Sequence, residues 1–133
     1  MIRVSSYFIR WGMGMTLTQE DYNSVREFDL TMGKILGLTN DYFSWNVEQH
    51  QPTDRIRNAV RVLMKEYGID SSAAQSMLLG IIVQEESKAA KLKQLRLESP
   101  ISHELSRYFE AIELYVGGSC YWHATAPRYQ TCE

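Results

Sequence analysis

Several things are scarce in this sequence, and each shortage removes a class of function. Cysteine occurs twice, as Cys120 and Cys132. That spacing makes no metal knuckle, and the two read as reduced thiols. Three prolines and eight glycines are scattered along the chain, which leaves no linker, low-complexity tract or internal repeat. Basic residues are not in excess: 14 Lys and Arg face 16 Asp and Glu, for a net charge of -2. A nucleic-acid footprint is therefore not expected. The longest apolar run, Met77 to Val83 with Gly80 inside it, falls far short of the roughly 20 residues that span a bilayer. The opening Met1-Ile2-Arg3-Val4 carries no apolar signal core, so a cytoplasmic location is expected. No Gly-rich phosphate loop and no Ser/His/Asp or Cys/His arrangement is present. His50, His103 and His123 share no ligand spacing and read as surface or partly buried side chains.

What is present is helical periodicity, and no segment alternates as a strand would. The 133 residues suffice for one domain. Residues 1–15, with Tyr7-Phe8-Ile9 and Trp11, read as the tail of a helix ending at Gly12 and Gly14. Thr18-Gln19-Glu20-Asp21 matches a capping box. It predicts a long helix over 19–49, about 46 Å in length, stopped by Pro52. A second helix is predicted over 54–67, with Ile56, Val60, Leu63 and Met64 as its stripe and Gly68 as its stop. A third, capped by Asp70 or Ser71, is predicted over 72–97. Its Glu85-Glu86 pair points in two directions and reads as surface. Ser99 as cap and Pro100 at the first position predict a last helix over 100–124, where Gly117-Gly118 could kink it or admit a close neighbour.

The long helix holds the one feature that packing does not explain. With Asn40 at zero on an ideal wheel, Ser44 lies about 40° round, Glu48 about 80° and Asp41 about 100°. Phe28, Met32, Ile35, Leu36, Leu38, Tyr42, Phe43 and Trp45 fill most of the remaining circumference, which predicts burial nearly all round. A polar stripe on such a helix costs free energy unless protein, water or a cation satisfies it. Asn40, Ser44 and Glu48 climb about 12 Å of one face. They form an oxygen-only set with a single carboxylate, of the kind that leaves Mg²⁺ with charge to spare for phosphate oxygens. Asp41 is placed to orient those ligands. Spacing alone favours the plainer alternative, a stripe hydrogen-bonded to a neighbouring helix. Arg128-Tyr129, presented just past Pro127, offers a guanidinium fork and a phenol suited to phosphate. Taken alone, that pair reads as a surface arginine.

Together these pieces resemble a class I terpene cyclase. Asn40-Asp41-x-x-Ser44-x-x-x-Glu48 is similar to that family's second metal motif, and Trp122 with Arg128-Tyr129 resembles its C-terminal tryptophan and Arg-Tyr pair. The segment from Arg57 to Glu66 resembles the fungal branch, in particular the cyclase domains of bifunctional di- and sesterterpene synthases. The resemblance implies an all-α fold, a partial class I terpenoid synthase bundle of about four to five helices. It implies Mg²⁺ held by Asn40, Ser44 and Glu48, with Asp41 behind them. It implies a linear isoprenoid diphosphate as substrate, C20 or C25, bound by Arg128, Tyr129 and Trp122. Metals and the Arg-Tyr pair would draw off the diphosphate, and the allyl cation would then cyclise.

The family's Asp-rich motif has no counterpart, because no two aspartates are adjacent anywhere in the chain. Its diphosphate-sensing arginine has only Arg3 and Arg10 as distant candidates, and Val47 stands where many relatives carry a basic residue. Residues 1–133 are therefore expected to be the C-terminal portion of a single cyclase domain, truncated and inactive alone. The alternative is a non-catalytic helical remnant acting as a binding module. In either case self-association through exposed apolar helix faces is expected.

Overall fold

The computed structural model describes residues 9–50 and 57–127. Every regular element among them is helical: α1 (Gln19–Ser24), α2 (Arg26–Glu48), α3 (Ala59–Tyr67), α4 (Ser71–Leu97) and α5 (His103–Thr125), preceded by a helical stretch at 9–12. That stretch ends as expected at a glycine. Gly14 takes φ +62°, and its N–H and that of Met15 reach back to Trp11 O and Arg10 O, closing the turn on a left-handed residue. Gly68 ends α3 in the same conformation, at φ 61°.

α2 is the central helix, with α3, α4 and α5 arrayed around it. Its first half joins α4 and α5 through Phe28, Met32, Ile35, Ala89, Phe109 and Ile112, with Phe28 and Phe109 edge to face at 5.0 Å. Its second half joins α3 and α4 through Trp45, Val60, Leu63, Ala74, Leu78 and Ile82. The Trp45 Nε1–H donates to Ser71 Oγ at 2.8 Å and pins α2 to the start of α4. Burial is not complete round α2, however: Leu30 and Val47 are exposed, so the helix covers one broad face rather than its whole circumference. Leu79 and Val83 on α4, and Leu114 and Tyr121 on α5, also remain exposed. No helix among the described residues is long and apolar enough to cross a membrane.

Three element boundaries depart from the sequence expectation. The predicted long helix breaks at Val25. The Ser24 hydroxyl donates to Asp21 O at 2.7 Å, the carbonyl that the Val25 N–H would otherwise use, and Val25 N–H turns to Tyr22 O instead. Arg96 Nε–H then holds Ser24 Oγ at 2.9 Å. α3 begins at Ala59 rather than 54, because Asn58 is extended and its side chain caps Val60 N; residues 54–56 lie outside those described. α5 begins at His103 rather than Pro100. Arg96 Nη1 takes the Pro100 carbonyl at 3.2 Å, and Ser102 Oγ caps Leu105 N at 3.1 Å. Near Gly117 and Gly118 the space is open and α5 runs on unbroken, so neither glycine serves a close approach.

Ser102 also donates to Asp21 Oδ2, so Ser102→Ala removes a cap and an interhelical contact together. It should destabilise the chain by about 1 kcal/mol, read as a lower urea midpoint at unchanged slope. Ser99→Ala should leave that midpoint in place, since the cap lies at Ser102.

Candidate functional site

The second half of α2 presents Asn40, Asp41, Ser44 and Glu48 toward two neighbours, the start of α3 and the end of α5. Ser44 is buried, while Asn40, Asp41 and Glu48 are half-buried. Burial of this kind requires partners, and they arrive from distant sequence.

From α3 comes Asn58, 1% exposed. Its Nδ2 donates to Asp41 O at 2.9 Å and to Glu48 Oε2 at 2.9 Å, and it lies 3.4 Å from Ser44 Oγ. The contact is reciprocal, since Ala59 N–H donates to Asp41 Oδ2 at 3.0 Å. The first N–H of α3 is thus satisfied by the stripe and the next, that of Val60, by Asn58 Oδ1. Burial raises the Asp41 carboxyl above its ordinary value. The Ala59 hydrogen bond opposes that rise, the Glu48 charge adds to it, and a hydrogen bond with Asn40 opposes it again.

From α5 comes His123, which is buried. Its Nδ1 lies 2.7 Å from Ser119 O, and its Nε2 lies 3.0 Å from Asn40 Oδ1. Phe43 stacks on the imidazole at 6.4 Å and Trp122 meets it edge-on at 5.0 Å. Trp122 itself is half exposed.

The structure therefore brings Asp41, Ser44 and Glu48 together around one amide. It brings Asn40 to the end of α5, one residue from Trp122. Arg128 and Tyr129 lie outside the described residues. Glu85 is no metal ligand pair with Glu86: it takes Lys34 of α2 at 2.8 Å in an interhelical ion pair. Among the described residues no three His, Cys, Asp or Glu side chains gather as a metal cage. Asn40, Ser44 and Glu48 offer an amide, a hydroxyl and one carboxylate, the hard oxygens a divalent cation takes; here the Asn40 oxygen meets His123, while Ser44 and Glu48 meet the Asn58 amide. Glu48 Oε1 receives no hydrogen bond from a described residue, which leaves it available to such an ion.

Sequence reasoning missed Asn58 and His123. An asparagine before Ala59-Val60 and an apolar stripe is a recognisable helix cap, but nothing local says which helix its amide will meet. For His123 no sequence signal exists, because its partner Asn40 is 83 residues away.

Comparison with known proteins identifies the family. The profile of a family described as terpene synthase family 2, C-terminal metal binding, matches residues 1–88, which include the stripe and Asn58. The chain is 29% identical over 124 residues to a terpene cyclase of Stachybotrys chlorohalonatus, covering 90% of this chain and 32% of that protein. It is 30% identical over 122 residues to ophiobolin F synthase of Cochliobolus heterostrophus, covering 91% of this chain and 17% of that one. It is 27% identical over 126 residues to fusicoccadiene synthase of Phomopsis amygdali, with 91% and 18% covered. The chain thus spans about a third or less of the length of these relatives.

Proposed function

Because the chain belongs to terpene synthase family 2, through its C-terminal metal-binding region, we propose that it supplies one wall of a Mg²⁺-diphosphate site for ionising and cyclising a linear isoprenoid diphosphate. The observation that carries this reading is the meeting at Asn40, where the metal-motif helix touches the end of α5 through His123 at 3.0 Å. His123 lies 83 residues from Asn40 in sequence and packs edge-on against Trp122.

In this reading Asn40, Ser44 and Glu48 hold one Mg²⁺, and Asp41 braces them through α3. Bound Mg²⁺ supplies positive charge to the diphosphate oxygens. Arg128 and Tyr129 donate hydrogen bonds to the same diphosphate, and Trp122 covers the isoprenoid beside it. The C–O bond to the isoprenoid breaks, its electron pair leaves with the diphosphate, and the allyl cation closes on a chain alkene. Donors fixed where charge develops stabilise that departure. A C20 or C25 substrate is favoured, as the resemblance of the Arg57 to Glu66 segment to di- and sesterterpene synthases implies.

The chain is proposed to be the C-terminal portion of a cyclase domain and to lack cyclase activity by itself, since no adjacent aspartates occur in its 133 residues to hold further metals. Calorimetry with inorganic pyrophosphate should therefore show binding that requires Mg²⁺ and disappears with EDTA. Incubation with geranylgeranyl or geranylfarnesyl diphosphate and Mg²⁺ should yield no cyclic hydrocarbon by gas chromatography–mass spectrometry. Pyrophosphate binding indifferent to Mg²⁺ would remove the metal-site reading, and a cyclic product would remove the inactivity.

A further inference from the structure

We propose that Asn58 is a positioning residue for the cation site, holding Glu48 in one geometry beside Ser44 from the N-terminus of α3. This rests on the reading of Asn40, Ser44 and Glu48 as cation ligands.

The amide of Asn58 has little freedom. Its Oδ1 accepts the Val60 N–H at 2.9 Å, and its Nδ2 faces Asp41 O and Glu48 Oε2, each at 2.9 Å. Turning the amide over would break the helix cap and set its oxygen against a carboxylate, so both ends impose the same orientation. The two Nδ2 protons are matched to those two short contacts, with Ser44 Oγ at 3.4 Å beside them. One Glu48 oxygen is therefore anchored while Oε1 is left for a cation. Asp41 Oδ2 returns the contact by capping Ala59 N, so α2 and α3 cap one another across the stripe. A ligand carboxylate held by an outer hydrogen bond loses less rotamer freedom when it takes a metal.

Asn58→Ser separates positioning from folding, because serine keeps a good N-cap for α3 but is too short to reach Glu48. Asn58→Thr caps similarly and serves if the serine variant folds poorly. The probe is Mn²⁺, titrated into the 133-residue chain and followed by the electron paramagnetic resonance of free ion, beside thermal melts of each variant. The cap variant should bind Mn²⁺ about 10–100-fold more weakly, while its melt stays one cooperative transition, lowered by the lost contacts to Asp41 and Glu48. Glu48→Gln serves as the reference for the site itself. If Glu48→Gln loses Mn²⁺ and the cap variant does not, the positioning role is wrong while the cation site stands. Tighter Mn²⁺ binding in the cap variant would also overturn the proposal, since Asn58 would then be occupying the cation's place. If the parent and Glu48→Gln bind alike, or neither binds, the cation site falls and this role falls with it.

Discussion

Glu48→Gln is expected to abolish Mg²⁺-dependent pyrophosphate binding, lowering apparent affinity by more than about 100-fold, beyond the roughly 10–100-fold that loss of an outer-shell partner costs. The reason lies in the composition of the stripe. Asn40 and Ser44 contribute neutral oxygens, so Glu48 carries the only full negative charge in the proposed ligand set. Glutamine has the same shape, and its side-chain oxygen can still accept from Asn58 Nδ2, which now meets Glu48 Oε2 at 2.9 Å. The fold should therefore survive, and the melting temperature without metal should move little. Asp41→Asn makes the contrast. Asp41 Oδ2 is engaged by Ala59 N–H and braces the site rather than entering it, so its loss should fall in the milder range. Calorimetric titrations of the two variants side by side check the ranking. Equal losses would mean that Asp41 is itself a ligand.

Tyr108→Phe should cost about 2–3 kcal/mol of stability at neutral pH, the usual range for a buried hydrogen bond to a charged group. Tyr108 on α5 is fully buried and Asp29 on α2 is 5% exposed. The phenol lies 2.7 and 2.8 Å from the two carboxylate oxygens of Asp29, joining helices 79 residues apart in the core of the first cluster. Burial pushes the Asp29 carboxyl above its ordinary 3.8, while the Tyr108 hydrogen bond and then the Arg10 charge oppose the rise. The sign of the pH dependence follows. A carboxyl whose folded value is raised binds more protons folded than unfolded, so its contribution is full below about pH 4 and is lost as pH climbs through the folded value. Taking away Tyr108 removes a group that holds that value down. The stability gap between parent and Tyr108→Phe should therefore be smallest in acid and widest near neutrality. Asp29→Asn, which cannot ionise, should flatten the dependence and gain on the parent as pH rises. Urea midpoints from pH 4 to 8 decide the matter: a gap that does not change with pH would mean that Tyr108 acts through packing alone.

These two sites differ in how far they could be read from sequence. The N-x-x-x-S-x-x-x-E stripe is local, because a helix of 3.6 residues per turn carries i, i+4 and i+8 up one face whatever surrounds it. The pairing of Asp29 with Tyr108 had no such signal. Arg128 and Tyr129 rested on resemblance and lie outside the described residues.

The sequence by itself determined the all-α class, the stops at Gly14 and Gly68, and a cap at Asp70 or Ser71, which the structure settles on Asp70, whose side chain takes Ala73 N–H at 2.8 Å. It also determined the polar stripe of Asn40, Ser44 and Glu48 on one helix face. All of these depend on contacts within about one helical turn, where spacing is geometry. Only the tertiary structure decided where the long helix breaks, since Arg96 reaches Ser24 from 72 residues away. Only it decided that Asn58 and His123 are the side chains against the stripe. A buried polar group must find a partner, but its own sequence neighbours do not say which helix will deliver one. That choice is made by the packing of α3 and α5 on α2.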